Sequence, residues 1–165
     1  MRRGEVLNLT WADIDFERQS VEVEPKADTP HTWEWRIKDY ERRTLPLTDA
    51  LTALLADRQA EQRVGCPYVV LPPWRYERLQ QRRTTGPLPE RDRKCPLNNF
   101  TKHWQEIMAA AKIEGGEFYD LRRTTLTEWL ANGLSEYEVM RLAGHSDFQT
   151  THRFYLAVRR DLIDR

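Results

Sequence analysis

The sequence predicts an α+β, mostly helical fold, with a small three-stranded antiparallel sheet packed against a helical body. Three observations carry that prediction. Apolar and polar residues alternate with a period of two only within residues 20–47. From residue 48 onward the apolar residues recur at helical spacing, interrupted by a Pro- and Arg-rich stretch. The length, 165 residues, suits about one domain, and a 39% hydrophobic content with six Trp, six Tyr and five Phe is enough for one sizeable core.

The elements follow in order. Val6, Leu7, Leu9 and Trp11 have helical spacing, but the segment opens on charge without a cap. Val21 and Val23 alternate with Glu22 and Glu24, and Trp33, Trp35 and Ile37 with Glu34, Arg36 and Lys38, which predicts two half-buried strands. After the polar turn DYERR, Thr44 to Leu47 predicts the third strand. Lys38 then sits at the edge of a hairpin turn, on the face opposite the tryptophans. Thr48 opens a helix carrying Leu51, Leu54 and Leu55 to about Gln62, stopped by Gly65 and Pro67.

Tyr68 to Leu71 reads as a strand or extended buried segment. The five prolines from Pro72 to Pro96 read as loop, with a short helix near Tyr76 to Gln81. Asn98 or Asn99 caps a helix with the stripe Phe100, Trp104, Ile107 and Ala111, closed by Gly115 and Gly116. A further helix runs from about Asp120 to Gly133 with Leu121, Leu126, Trp129 and Leu130. Ser135 followed by Glu138 is a capping box, and Gly144 ends the helix it opens. The last helix, from about Asp147, places Phe148, Thr151, Tyr155, Val158 and Leu162 on one face.

Composition excludes several functions. Lys plus Arg and Asp plus Glu are 26 each, so any nucleic-acid site must be local. No apolar run approaches the roughly 18 residues of a membrane span, and the first residues lack the pattern of a secretory signal, so a cytoplasmic protein without a membrane partner is expected. Cys66 and Cys95 stand apart without metal-ligand spacing, and His31, His103, His145 and His152 form no cluster with them. No Gly-rich phosphate loop, GxSxG elbow or HExxH motif occurs, so most catalytic signatures are absent and no metal site is expected at the histidines.

Arginine is concentrated at the borders of elements: Arg2 and Arg3, Arg42 and Arg43, Arg122 and Arg123. Three motifs contain these pairs and a fourth follows them. They are Arg2 with Glu5 before an apolar run ending in WADID, then IKDYERRTLPL, YDLRRT and LAGHSDFQTTHRFY. In this order they resemble the boxes of the tyrosine recombinases, the phage integrase family.

The resemblance implies the fold of a DNA breaking-rejoining catalytic core. It also implies site-specific DNA recombination or integration through a 3′-phosphotyrosyl intermediate, without cofactor or metal. Arg2, Arg122 and His145 would hold the phosphate, Lys38 would protonate the leaving oxygen, and Tyr155 would be the nucleophile. Tyr119 stands where the family's third box has its first histidine and would donate to phosphate; Arg123 stands where the second often lies. The family spaces its tyrosine nine or ten residues after the histidine. Nine gives Phe154, which has no hydroxyl, and ten gives Tyr155. Arg42, Arg43, Arg123 and Lys102 are the expected DNA contacts, with double-stranded DNA as partner and a homo-tetramer on DNA as the assembly of the full-length protein. Residues 1–165 would be a single, partial catalytic domain, lacking its first helices and a preceding core-binding domain. The alternative is a noncatalytic remnant or a DNA- or partner-binding module that keeps the fold.

Overall fold

A computed structural model of the chain describes residues 1–38, 42–62, 64–97 and 100–163, with side chains as far as Ala157. The chain forms two compact units, Arg3–Phe100 and Met1–Arg2 with Thr101–Arg165.

In the Arg3–Phe100 unit a short helix α1 (Arg3–Leu7) leads into a 3-10 turn, Trp11–Asp13. Asp13 builds that turn. Its Oδ2 accepts from the Thr10 amide at 2.7 Å and the Thr10 hydroxyl at 2.8 Å, while its other oxygen pairs with the Lys26 ammonium. The sheet follows in the order β1-β2-β3, with β1 (Ile14–Asp15), β2 (Ser20–Val23) and β3 (Arg43–Pro46) all antiparallel. Val21 pairs with Ile14 on one side and Leu45 on the other.

The three-stranded antiparallel sheet is therefore present, but one expected strand is replaced. Residues 33–37 form only an isolated bridge, Lys26 with Trp35. Both edges of β2 are occupied by β1 and β3, so no ladder remains there for a further strand to join. The period-two signal of Trp33, Trp35 and Ile37 records burial, since all three are inside, rather than strand pairing. Much of the expected DYERR turn, residues 39–41, lies outside the described residues.

Aromatic stacking builds this unit's core. Trp33 stacks on Tyr68 at 4.2 Å and 12°, and Tyr76 tilts against both. Polar atoms inside are matched: the Trp33 indole donates to Asn8 Oδ1 at 3.0 Å, and the Tyr68 hydroxyl accepts from the Trp33 amide at 3.2 Å. Burial raises the Tyr68 phenol well above its ordinary range and also pushes the Cys66 thiol up.

Helix α2 (Asp49–Glu61) begins as expected, with the Thr48 side chain accepting from the Leu51 amide, but Leu51 and Leu54 face solvent. Helix α3 (Pro73–Arg83) is longer than expected because Pro73 occupies its first turn, where no amide hydrogen bond is lost. It buries Tyr76, Leu79 and Arg75, whose guanidinium donates to the Pro96 carbonyl at 2.8 Å. Helix α4 (Glu90–Lys94), unexpected within the Pro-rich stretch, buries Asp92 against Arg75 and Arg82.

In the other unit helix α5 (Phe100–Ala110) carries Trp104, whose ring meets Phe118 edge-on at 5.4 Å and whose indole donates to the Gly116 carbonyl. The expected caps, Asn98 and Asn99, lie outside the described residues. Helices α6 (Phe118–Ala131), α7 (Glu136–Ala143) and α8 (Phe148–Ile163) pack together around Leu126, Leu130, Val139 and Ala143. The side chains of Val158 and Leu162 lie outside the described residues.

The Ser135 capping box is formed. Ser135 Oγ accepts from the Glu138 amide, and Glu138 Oε2 accepts from the Ser135 amide at 2.8 Å. The bonds from Ser135 hold the Glu138 carboxyl below its ordinary value. A depressed folded-state value means that this carboxylate stabilises α7 at neutral pH and stops doing so as the pH falls through that value. Ser135→Ala is expected to cost about 1 kcal/mol at pH 7 and measurably less once Glu138 is protonated. Chemical denaturation of both chains at neutral and acidic pH checks this.

Candidate active site

Helix α7 ends at Gly144, whose backbone is left-handed (φ 65°, ψ 48°), a conformation that glycine adopts without a Cβ penalty. The reversal turns the chain into His145 and leaves the last carbonyls of α7 seeking donors. Two arginines supply them. Arg122, on α6 and 7% exposed, donates from Nη2 to the Ala143 carbonyl at 2.6 Å. Arg2 donates to the Gly144 carbonyl. Cations at the negative end of a helix are favoured electrostatically, so the anchoring is both hydrogen-bonded and charge-assisted.

His145 is buried beside these carbonyls, with its amide donating to the Met140 carbonyl. Its Nδ1 lies 2.8 Å from the hydroxyl of Thr151, itself fully buried on the first turn of α8. The imidazole stacks on Phe154 at 6.4 Å and 16°. Thr151 was visible in the sequence only as half of a TT pair on an apolar face; its contact with His145 had no sequence signal. Tyr155 is half-buried and packs, with Phe154, against the core cluster to which Ala143 belongs.

Tyr119 is 46% exposed in the first turn of α6, one turn before Arg122. Lys38 is exposed and belongs to the Arg3–Phe100 unit. Of the expected DNA contacts, Arg123 and Lys102 are exposed and lie near Asp120 and Glu106. Arg42 is exposed near Glu24. Arg43 departs from the expectation. Its side chain is 8% exposed on β3 and pairs with Glu5 of α1 at 2.6 Å, so its charge is used inside the unit.

Among the described residues no group of three or more His, Cys, Asp or Glu could hold a metal ion, and no helix is long and apolar enough to cross a membrane.

The family model of the phage integrases matches residues 1–161. The chain belongs to the phage integrase family. Its four boxes thus mark a real kinship, and similarity to individual proteins agrees. A tyrosine recombinase XerC-like protein of Caldanaerobacter subterraneus subsp. tengcongensis is 25% identical, the match covering 96% of this chain and 42% of that protein. The crystal structure of XerA recombinase superposes with a TM-score of 0.65 at 15% identity, over 98% of this chain and 50% of that one. The Tn1549 transposon integrase, solved with transposon right-end DNA, gives 0.63 at 15% identity over 100% and 54%. The catalytic domain of bacteriophage HP1 integrase gives 0.57 at 17% identity over 96% and 67%. This phage integrase family chain has their fold, and it spans about half the length of the first relatives it matches.

Proposed function

We propose that this chain carries the chemistry of a site-specific DNA recombinase, cutting and rejoining one strand through a 3′-phosphotyrosyl link. One observation carries the proposal: Arg2 and Arg122, from opposite ends of the sequence, anchor on adjacent carbonyls next to His145. A guanidinium has five N–H donors in a planar fork, the geometry that suits two-point contact with a phosphate. Two such groups and an imidazole are the donors needed to hold the charge that collects on a phosphate's nonbridging oxygens.

In the proposed step the Tyr155 hydroxyl attacks phosphorus in line and gives up its proton to water. The Oη–P bond forms as the bond to the 5′ oxygen breaks, and Lys38 supplies the proton that the leaving oxygen takes up. A phosphodiester is exchanged for a phosphodiester, so a 5′ hydroxyl can reverse the attack and rejoin the strand. Tyr119 would donate to the phosphate without acting as a base near neutral pH. Arg42, Arg123 and Lys102, all exposed, would contact the DNA backbone. A homo-tetramer on DNA is the assembly proposed for the full-length protein.

The test is incubation of the full chain with a pool of nicked duplexes of randomised sequence, which lose the cleaved end and trap the enzyme on DNA. A covalent protein–DNA species that survives boiling detergent is expected. DNA binding without that species would instead support a noncatalytic module, the reading favoured by Tyr119 in a histidine's place.

A further inference from the structure

We propose that His152 is a positioning residue that holds the ring of Tyr155, with Glu136 orienting His152. The inference rests on the proposed role of Tyr155 as nucleophile. None of the four boxes assigns a role to either His152 or Glu136.

His152 lies on α8 three residues before Tyr155 and four after Phe148, spacings that place side chains on one face of a helix. The rings form a continuous stack: Phe148 to His152 at 5.6 Å and 24°, and His152 to Tyr155 at 6.0 Å and 22°. The imidazole is held from outside the helix as well. Its Nδ1 is 2.7 Å from Oε2 of Glu136, which projects from the first residue of α7 and is only 20% exposed. An ionised carboxylate can only accept, so Nδ1 carries the proton and donates to it. That bond fixes the plane of the imidazole, and the imidazole in turn gives the phenol a fixed surface to lie against.

Such a surface matters for in-line attack. Core packing holds one side of the Tyr155 ring, His152 lies against it as well, and the reacting oxygen must be held within a fraction of an ångström. His152 does not need to touch DNA for this; it acts through the ring of Tyr155.

Two measurements on the full chain test the proposal. In the first, adduct formation is followed with a nicked duplex recovered from the randomised pool. His152→Ala is expected to slow adduct formation at saturating DNA about tenfold or more while leaving DNA affinity near that of the parent. Glu136→Ala should slow it less, and His152→Phe, which keeps a ring against Tyr155, should recover part of the rate. A folded His152→Ala chain with the parent's rate overturns the proposal.

The second measurement needs no DNA. With tyrosines 13C-labelled at Cζ, the Tyr155 signal is assigned by its absence from Tyr155→Phe. It should move in both His152→Ala and Glu136→Ala, and a signal unmoved in both overturns the proposal. If the parent forms no adduct, the role of Tyr155 as nucleophile falls, while the second measurement still decides whether His152 holds its ring.

Discussion

Tyr155→Phe is expected to remove the covalent protein–DNA species while leaving the fold and DNA affinity in place. The phenolic oxygen would be the atom that bonds to phosphorus, and no cationic neighbour can substitute for it. Loss of a nucleophile is therefore expected to cost more than about 10³-fold in cleavage, down to the floor of detection. The ring itself stays. Tyr155 packs against the cluster formed by Leu126, Leu130, Val139 and Ala143, and phenylalanine keeps that packing, so stability should fall by no more than about 1.5 kcal/mol.

The neighbouring Phe154 gives the control. Its ring faces the imidazole of His145, and Phe154→Ala removes both that stack and core packing. That change should lower stability by more than Tyr155→Phe does and still permit some adduct. An adduct that persists in Tyr155→Phe would remove Tyr155 from its proposed role and make Tyr119, exposed one turn before Arg122, the next phenol to replace.

Local signals in the sequence were reliable where the physics is local. Thr48 and Ser135 cap the helices their positions predict, and Gly144 ends α7 in the conformation that glycine favours. The tryptophan segment misled because alternating burial and strand pairing leave the same trace: Trp33 and Ile37 are inside without joining a ladder. Strand β1 was illegible, since two residues carry no period. Prolines suggested loop where α3 begins, yet a proline in the first helical turn costs nothing.

At the site, periodicity made Tyr155 a core residue, and its half-buried packing agrees with that as far as it goes. Motif order identified Arg2, Arg122 and His145 together, although spacing alone could not join residues more than a hundred positions apart. Their supports, Thr151 under His145 and Glu136 beside His152, arise from how α7 and α8 pack, and no local pattern records them.

Arg43 shows the same limit and leads to the second large effect. In the sequence it stood beside Arg42 as one of a pair of cations suited to phosphate, but it is buried with Glu5 across 38 residues of sequence. Removing one member of a buried ion pair leaves the other charge in a poorly solvated place without that opposing charge, so Glu5→Ala is expected to cost about 3–5 kcal/mol. Replacing both members by apolar residues of similar size removes the desolvation penalty along with the attraction. The double variant Glu5→Leu, Arg43→Met should therefore recover most of the loss. The midpoint and slope of chemical denaturation for the parent, single and double variants measure this directly. A Glu5→Ala chain within about 1 kcal/mol of the parent, the range of a surface pair, would mean that water reaches the pair in solution and that Arg43 is available to a phosphate after all.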